Sequence, residues 1–357
     1  MNVEEMISVA DFEPLAAEKL DAPAAGYFFG GACDEVTLAE NTAAWSRRRL
    51  RPRVLAGYKD WGTRATVLGK EVSAPILVAP VAYQRLVDEG GEIAMARAAA
   101  AAGTVMCVST LATTLPGEIA AAAPGGRRWF QLYSFRDEGV TRALMDEAVD
   151  AGFEAIVVTV DAPRGGRRER DLRTGFKLPE GLGVPAVQAA LKSERAVTIE
   201  ETFALMEPAL TWGDLERLAS ACSVPVLIKG VLAGEDAALA VEHGAAGVVV
   251  SNHGGRQLDC SLATVDALEE VVDAVAGRGT VLVDGGIRRG TDVAIALALG
   301  ADAVLVGRPA IWGLAVAGEA GAHRVLEMLR EEFELALALL GCSSPAELSR
   351  EHVQQLS

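Results

Sequence analysis

The sequence predicts a (β/α)8 barrel, a closed ring of eight parallel strands also called a TIM barrel, preceded by a helical extension. Three observations carry this prediction. From Pro75 onward, short apolar runs alternate with alanine-rich stretches of helical spacing. Polar residues directly follow the runs, as they do at the carboxyl ends of barrel strands. The chain has 357 residues, 50% of them hydrophobic, which suits one large barrel, and no linker separates a second domain.

Residues 1–70 form the predicted helical extension of this single domain, which spans 1–357. Helical spacing runs over residues 11–20. Residues 27–32 are aromatic and glycine-rich, which predicts a turn. A second helix is predicted over residues 37–48, with its first residue, a threonine, as N-cap and Glu40 at the capping-box position.

The barrel elements follow in order along the chain. The predicted strands are residues 76–79, 104–108, 129–132, 155–160, 226–228, 247–250, 281–283 and 303–306. The predicted helices are residues 92–102, 140–151, 212–221, 233–242, 262–276 and 290–299. A long interruption, residues 162–224, follows the fourth strand. Because long loops after barrel strands lie on the active face, we expect it to be an active-site lid.

Composition narrows the function further. The formal net charge of -16 argues against nucleic-acid partners and against an anionic membrane surface, and no apolar run is long enough to span a bilayer. The five cysteines form no C-x-x-C pair and the four histidines lack metal-ligand spacing. We therefore expect reduced thiols, no metal and a cytoplasmic location. The first residues lack a signal-peptide apolar region, and residues 355–357 are not a peroxisomal address.

The most informative stretch is residues 251–259, Ser-Asn-His-Gly-Gly-Arg-Gln-Leu-Asp, which directly follows the sixth strand. His253 can exchange a proton near neutral pH. Arg256 can bind a carboxylate through two parallel hydrogen bonds. The two glycines between them allow a tight turn close to a ligand. The stretch therefore indicates proton transfer beside a carboxylate site, although a structural histidine in a strand-to-helix turn fits the same pattern.

Polar residues also follow the other strands, where several have ordinary explanations. Ser109 and Thr159 suit turns, and Asp161 suits a helix cap or the turn before a proline. The arginines of residues 164–170 suit a solvated basic loop. Lys229 is harder to explain in this way, because it follows a wholly apolar strand.

Glycine-bearing turns with arginines follow the seventh and eighth strands. They are Asp284-Gly285-Gly286-Ile287-Arg288 and Gly307-Arg308. Barrels commonly build a phosphate site from these two loops, since backbone amides and a guanidinium suit a phosphate dianion. No G-x-G-x-x-G follows the first strand, so the pattern indicates a phosphorylated cofactor or substrate, with Lys229 placed against developing negative charge.

Together these motifs resemble those of the FMN-dependent L-2-hydroxy acid oxidases and dehydrogenases, the family of glycolate oxidase, lactate oxidase, mandelate dehydrogenase and hydroxymandelate oxidase. The match extends from residues 37–41 to the helix around residues 330–333, and the 251–259 stretch is the most specific motif. Gln131-Leu132-Tyr133, residues 159–163, Lys229-Gly230 and the 284–288 turn also stand where the family has them. The resemblance implies FMN as cofactor, a small 2-hydroxy acid and O2 as partners, and a homotetramer or homo-octamer.

The resemblance also implies a role for each site residue. The catalytic residues would be His253 as base, Asp161 on its other ring nitrogen, and Tyr133 on the substrate hydroxyl or carboxylate. The substrate would bind to Tyr27, Tyr133, Arg168 and Arg256. Lys229 would contact the N1 and C2 carbonyl region of the flavin and stabilise its reduced form. The other cofactor-binding residues would be Ala79, Pro80, Val81, Ala82, Ser109, Gln131, Thr159, Ser251, Asp284, Gly286, Arg288, Gly307 and Arg308.

The implied reaction is oxidation of the hydroxyl-bearing carbon to a 2-oxo acid. His253 would take either the hydroxyl proton as hydride leaves or the α-proton to give a carbanion. Leu111 stands where glycolate oxidase has a tryptophan, which implies a roomier pocket for lactate or for an aryl or longer 2-hydroxy acid. Residues 177–206 lack the apolar segment that anchors mandelate dehydrogenase to membranes, which favours O2 as acceptor and H2O2 as product.

Three alternatives remain open from the sequence. The first is a dehydrogenase that passes its electrons to a quinone or a carrier protein. The second is a flavin-dependent isomerase, or a member of the family that acts on a modified peptide. The third is a barrel that merely binds phosphate.

Overall fold

The computed structural model of the chain describes residues 3–57 and 61–355. Residues 1 and 2, on which the expectation of no signal peptide partly depends, lie outside the described residues. Residues 58–60 of the predicted extension also lie outside the described residues. The same holds for residues 356 and 357, which belong to the C-terminal tripeptide that is expected not to be a peroxisomal address.

The N-terminal extension is helical, as expected, but contains one helix more than predicted. Its helices are α1 (Phe12–Lys19), α2 (Ala22–Phe29) and α3 (Val36–Ala43). The expected turn at residues 27–32 is wrong, because its aromatic residues end α2. That helix begins at the N-cap Asp21, which accepts a hydrogen bond from the Ala24 amide at 2.8 Å, and it has a proline in its first turn.

The expected cap of the next helix is also wrong. Its N-cap is Glu35, in the left-handed region at φ 62, and Thr37 lies inside α3. The Thr37 amide instead donates to Asp259 at 2.8 Å, which ties the extension to the 251–259 stretch. Three short strands precede the barrel, β1 (Arg48–Leu50) and β2 (Ala65–Val67) in the extension and β3 (Lys70–Val72) at its end.

The predicted (β/α)8 barrel is confirmed. Eight parallel strands follow one another around the ring in chain order, and the last closes on the first where Val304 and Val306 pair with Ile76 and Val78. The barrel strands are β4 (Ile76–Val78), β5 (Val105–Ser109), β6 (Arg127–Leu132), β7 (Ile156–Thr159), β8 (Val226–Val231), β9 (Gly247–Val250), β10 (Thr280–Val283) and β11 (Ala303–Val306).

The apolar runs become strands because they are covered on both sides. In β9 all four residues are buried, and their side chains alternate between the barrel interior and the layer beneath the helices. The interior cluster includes Leu77, Cys107, Trp129 and Leu282. These side chains fill the ring, so a ligand can bind only at its mouth, where the polar strand ends lie.

Helices surround the barrel in the expected alternation. They are α4 (Gly91–Ala101), α5 (Pro116–Ala122), α6 (Glu138–Asp150), α7 (Glu169–Thr174), α8 (Pro185–Ala190), α9 (Ile199–Leu205), α10 (Trp212–Ala221), α11 (Gly234–Glu242), α12 (Thr264–Val275), α13 (Gly290–Ala298) and α14 (Arg308–Leu340). The last helix is broken at Ala317 and Gly318. A final strand, β12 (Val353–Gln355), pairs antiparallel with β1.

The long interruption after β7 contains the three short helices α7, α8 and α9 before α10 begins. Its return segment pairs with the loop after β6, where the Arg136 amide donates to the Leu205 carbonyl at 3.0 Å and the Glu207 amide to Ser134 at 2.9 Å. Its first part meets the 251–259 stretch, where the Gly166 amide donates to Gln257 Oε1 at 3.0 Å. The interruption therefore packs across the barrel mouth.

In the described part of the chain, none of the helices combines the length and the apolar character needed to cross a bilayer.

Candidate active site

A cavity that is open to solvent lies at the carboxyl ends of the barrel strands. All but two of the predicted site residues line it. The exceptions, Asp161 and Ser251, are hydrogen-bonded to the lining residues His253 and Lys229. Residues chosen from eight separate strand ends and from the extension are therefore brought together at one place.

His253 has a backbone conformation that residues other than glycine rarely adopt. It has φ 59 and is followed by Gly254 at φ 66 and Gly255 at φ 73, all in the left-handed region. A Cβ on Gly255 would lie 2.7 Å from the backbone of Leu38, so glycine is required where α3 approaches. This turn directs the imidazole into the cavity, where His253 Nδ1 lies 2.9 Å from Asp161 Oδ1.

The protonation states of this pair follow from burial and charge. Burial lowers the pKa of His253, and the partly compensating effect of Asp161 leaves it below its ordinary value. Burial alone would raise the pKa of Asp161, but the charge and hydrogen bond of His253, with Lys229, hold it below its ordinary value. At neutral pH the pair is therefore a neutral imidazole beside a carboxylate. Because Asp161 accepts from Nδ1–H, Nε2 is free to take a proton.

Two arginines face the same cavity. Arg256 Nη1 donates to the carbonyls of Tyr27 and of Gly30, the latter at 3.0 Å, while its buried Nη2 has no hydrogen-bond partner among the described residues. Arg168, from the interruption, lies beside it, with Nε 3.4 Å from the Arg256 carbonyl. Burial and repulsion from Arg168 lower the pKa of Arg256 to about 10, so it stays charged at neutral pH. The two guanidiniums can together bind a carboxylate.

Tyr133 supplies a neutral hydroxyl on the wall of this subsite. Burial, followed by the negative charge of Asp161, raises the pKa of Tyr133. The hydroxyl therefore remains protonated at any ordinary pH and can donate a hydrogen bond to a bound substrate. The Thr110 side chain accepts from the Tyr133 amide at 3.1 Å and fixes the backbone there.

Lys229 places a positive charge at the base of the cavity. Its Nζ donates to Ser251 Oγ at 2.8 Å and lies 3.1 Å from Asp284 Oδ2. Burial would lower the pKa of Lys229, but Asp284 and Asp161 outweigh it and raise the pKa. This ammonium can therefore stabilise negative charge on a bound group.

Gln131 forms a polar strip along one side of the cavity. Its Oε1 accepts from the Ser109 hydroxyl and the Thr110 amide, each at 3.2 Å, and its Nε2 donates to Thr159 Oγ1 at 3.0 Å. These bonds determine which end of the amide faces each strand. The strip presents fixed donors and acceptors to a planar ligand.

The glycine turn after β10, where the sequence predicts a phosphate site, is packed closely on the N-terminal extension. Gly285 and Gly286 have φ 92 and φ 79, and a Cβ on Gly286 would lie 1.9 Å from the Asn41 carbonyl oxygen. Arg308 donates to the Gly254 carbonyl at 3.0 Å. Burial, then repulsion from Arg256, lowers the pKa of Arg308 to about 9, so it remains charged at neutral pH.

These residues fit the phosphorylated flavin that the sequence resemblance implies. The arginines at 288 and 308 supply charge for a phosphate, the guanidinium of Arg288 lying 4.7 Å above the Trp312 ring. Asp284 Oδ1 is buried and lacks a partner in the described structure, so it is an acceptor suited to a ligand hydroxyl. Gln131 and Lys229 offer the polar and charged groups that a flavin ring requires.

Sequence reasoning missed several residues of the site. Phe28 and Phe203 line the cavity, from α2 and α9. The sequence predicts a turn at Phe28, and Phe203 lies in the long interruption, where no helix is predicted before residue 212. No local pattern marks either residue as part of the site, because both helices also contain other apolar residues. Leu111, expected to widen the pocket, does line it and is 3% exposed.

Known proteins share both the sequence and the fold. The family model described as FMN-dependent dehydrogenase matches residues 16–355. Glycolate oxidase 3 of Arabidopsis thaliana is 47% identical, over 98% of this chain and 96% of its own length. The L-lactate oxidase of Nostoc sp. (strain PCC 7120 / SAG 25.82 / UTEX 2576) is 48% identical, over 94% and 95%.

Among solved structures, mandelate oxidase with (S)-4-hydroxymandelic acid has a TM-score of 0.93 at 44% identity, over 98% of this chain and 99% of that one. Mandelate oxidase with benzoyl-formic acid has a TM-score of 0.89 at 45% identity, over 98% of each chain. The family model and the curated relatives each span nearly the whole chain. This protein belongs to the FMN-dependent dehydrogenase family, and FMN is its cofactor.

Proposed function

We propose that the protein oxidises L-2-hydroxy acids to 2-oxo acids and transfers the electrons through FMN to O2, giving H2O2. One observation carries the proposal. The neutral imidazole of His253, held at Nδ1 by Asp161 at 2.9 Å, faces the same cavity as the guanidinium of Arg256, whose buried Nη2 has no partner among the described atoms. A base next to an anion site suits deprotonation of a substrate held by its carboxylate.

Arg256 and Arg168 bind the substrate carboxylate, and Tyr27 forms the adjoining wall. In the free enzyme, burial and then repulsion from Arg168 lower the pKa of Arg256. A bound carboxylate relieves that repulsion. An anion held at this point also excludes water from the cavity. The carboxylate thus orients the substrate with its C2 carbon toward His253.

His253 Nε2 then removes a proton from the substrate. Asp161 stabilises the imidazolium that forms, since its own pKa is held low and it remains a carboxylate. Tyr133 donates a hydrogen bond to the substrate oxygen throughout, because its hydroxyl stays protonated. When bound, FMN supplies the two-electron acceptor. The Lys229 ammonium stabilises the negative charge that develops at the base of the cavity.

Oxygen as the final acceptor is supported by the relatives, which are named as oxidases. The proposed substrates carry a larger group on C2 than the hydrogen of glycolate. Leu111 and Phe203 give the cavity an apolar wall, and the structurally similar mandelate oxidase was solved with an aryl acid. Lactate, mandelate and longer 2-hydroxy acids are therefore the proposed substrates.

The test is oxygen consumption by the yellow holoenzyme with glycolate, lactate and mandelate, combined with a peroxide assay. We expect equimolar peroxide and 2-oxo acid, with the larger substrates preferred. Flavin that is reduced by these acids but reoxidised only very slowly in air would instead indicate a dehydrogenase with a quinone or carrier acceptor. A flavin that no simple 2-hydroxy acid reduces would contradict the proposal and favour isomerase chemistry.

Three further features are proposed. The five cysteines, all in the described part of the chain, have free thiols, which supports a cytoplasmic location. Barrels of this kind often associate, which supports a homotetramer or homo-octamer. The contacts of residues 162–224 across the barrel mouth support the role of a lid within one domain spanning 1–357.

A further inference from the structure

Phe176, the second residue after α7, covers one face of Tyr27. The two rings lie 4.5 Å apart between centroids, with an angle of 15° between their planes. The guanidinium carbon of Arg256 lies 4.6 Å from the centroid of the same Tyr27 ring. Because the nearly parallel Phe176 ring already occupies one face at contact distance, the guanidinium must occupy the other. The three side chains form a stack in the order Phe176, Tyr27, Arg256.

Other aromatic rings close the sides of this stack. Phe28 meets Tyr27 edge-on, with centroids 5.1 Å apart and planes at 88°. Tyr83, which is buried, lies 5.5 Å from Tyr27 and 6.4 Å from Phe176. These rings limit sideways movement of the Tyr27 ring. Movement away from Arg256 is then prevented by Phe176, which covers the opposite face.

Phe176 is itself held by a fixed turn. Gly175 ends α7 in the left-handed region at φ 65, and the Phe176 amide donates to the Asp171 carbonyl at 2.9 Å. The helix packs on α2, where a Cβ on Gly26 would lie 3.4 Å from Thr174 Oγ1. The turn thus fixes the Phe176 ring against α2 of the N-terminal extension.

Arg256 depends on this arrangement because few other groups hold it. Among the residues that the structure describes, its Nη1 donates to two carbonyls of the extension, those of Tyr27 and Gly30, and Arg168 repels it. The π face of Tyr27 is an additional attraction for the cation. If the Tyr27 ring turned away, Arg256 would lose that attraction and its orientation toward the cavity would loosen.

We propose that Phe176 is a positioning residue for the carboxylate-binding Arg256 and acts on it through Tyr27. The inference rests on the proposed function in one respect, namely that the ligand of Arg256 is a 2-hydroxy or 2-oxo carboxylate. The interruption then contributes to substrate binding twice. Arg168 lines the anion site directly, and Phe176 restricts the Tyr27 ring against which Arg256 packs.

The test is a titration of the oxidised holoenzyme with benzoylformate, a 2-oxo acid. The change in the flavin absorption spectrum reports binding and gives the Kd. Phe176→Ala should raise the Kd and the substrate KM by about threefold to tenfold, the value of a lost ring stack, with kcat nearly unchanged. Phe176→Tyr should restore tight binding. Leu172→Ala is the matched control on α7, the helix just before Phe176, since Leu172 is 64% exposed, and it should bind like the wild type.

Phe176→Leu keeps apolar volume without the aromatic face and should weaken binding as alanine does, so it decides the question if the alanine variant does not fold. Wild-type affinity in the leucine or alanine variant would overturn the inference. So would an equal loss in Phe176→Tyr. Wild-type holoenzyme that binds no 2-oxo acid at all would instead contradict the proposed function, so the two failures are distinguishable.

Discussion

Asp161 Oδ1 and His253 Nδ1 lie 2.9 Å apart, although the two residues are 92 positions apart in the chain. Asp161 follows β7 and His253 follows β9, so the barrel brings them together across the end of β8. Gly230 in β8 makes the approach possible, because a Cβ there would lie 2.5 Å from Asp161 Cβ. The Gln257 side chain also donates to the Asp161 carbonyl at 2.8 Å, which links the two loops a second time.

Asp161→Asn should change the pH profile in a definite direction. Burial lowers the pKa of His253 and Asp161 partly raises it, so removing the carboxylate should lower that pKa further. Since the neutral imidazole is the active form, kcat/KM falls as the pH drops through this pKa. The acid limb should therefore move to lower pH in the variant, while the plateau falls by about 10²- to 10⁴-fold.

The measurement is kcat/KM between acid and neutral pH for the wild type and Asp161→Asn, with flavin content checked at each pH. A limb that stays in place or moves to higher pH would refute the electrostatic coupling between the two side chains.

Leu111→Trp should narrow the substrate range. Leu111 lines the cavity and is almost fully buried, so an indole ring there must take space from the substrate side chain. We expect the ratio of kcat/KM for mandelate to that for glycolate to fall by about tenfold or more, the usual cost of overpacking. Leu111→Met, which conserves volume, is the control and should leave the ratio nearly unchanged. An unaltered ratio in the tryptophan variant would show that the substrate side chain lies elsewhere.

Gly286→Ala should remove FMN. The added Cβ would lie 1.9 Å from the backbone oxygen of Asn41, at a residue with φ 79, so the phosphate turn must move. Gly277→Ala is the matched control, since Gly277 has φ 72 and no described atom lies within 4 Å of its added Cβ. The control should lose about 1–2 kcal/mol from its backbone alone.

Tm and the ratio of flavin to protein absorbance measure both effects. We expect Gly286→Ala to lose its flavin and Gly277→Ala to keep it. The drop in Tm should be larger for Gly286→Ala than for Gly277→Ala. Equal behaviour of the two alanine variants would mean that the turn tolerates the displacement.

Regular elements could be predicted because their patterns are local. The strand β9, Gly247–Val250, and the helix α10, Trp212–Ala221, begin and end at the predicted residues. Each is an apolar or amphipathic run between clear stop signals. The polar strand ends could be predicted for the same reason, since the barrel places whatever follows a strand at one mouth.

Elements that depend on packing could not be predicted. Tyr27 and its neighbours in α2 looked like a turn, because glycines follow them, yet contacts with α7 keep them helical. The pairing of Asp161 with His253 came only from the family resemblance, since Asp161 alone fits a turn. Phe176 and Phe203 reach the site through the path of the interruption, which no local pattern defines.

The central claim is that His253 is the base that starts flavin reduction by an L-2-hydroxy acid. The most direct test mixes holoenzyme with (S)-mandelate without oxygen and follows the loss of oxidised flavin absorbance, for the wild type and for His253→Gln. We predict rapid bleaching of the wild type by the (S) enantiomer and not by the (R) enantiomer. The variant should retain FMN but bleach at least about 10²-fold more slowly. Bleaching of His253→Gln at the wild-type rate would contradict the account.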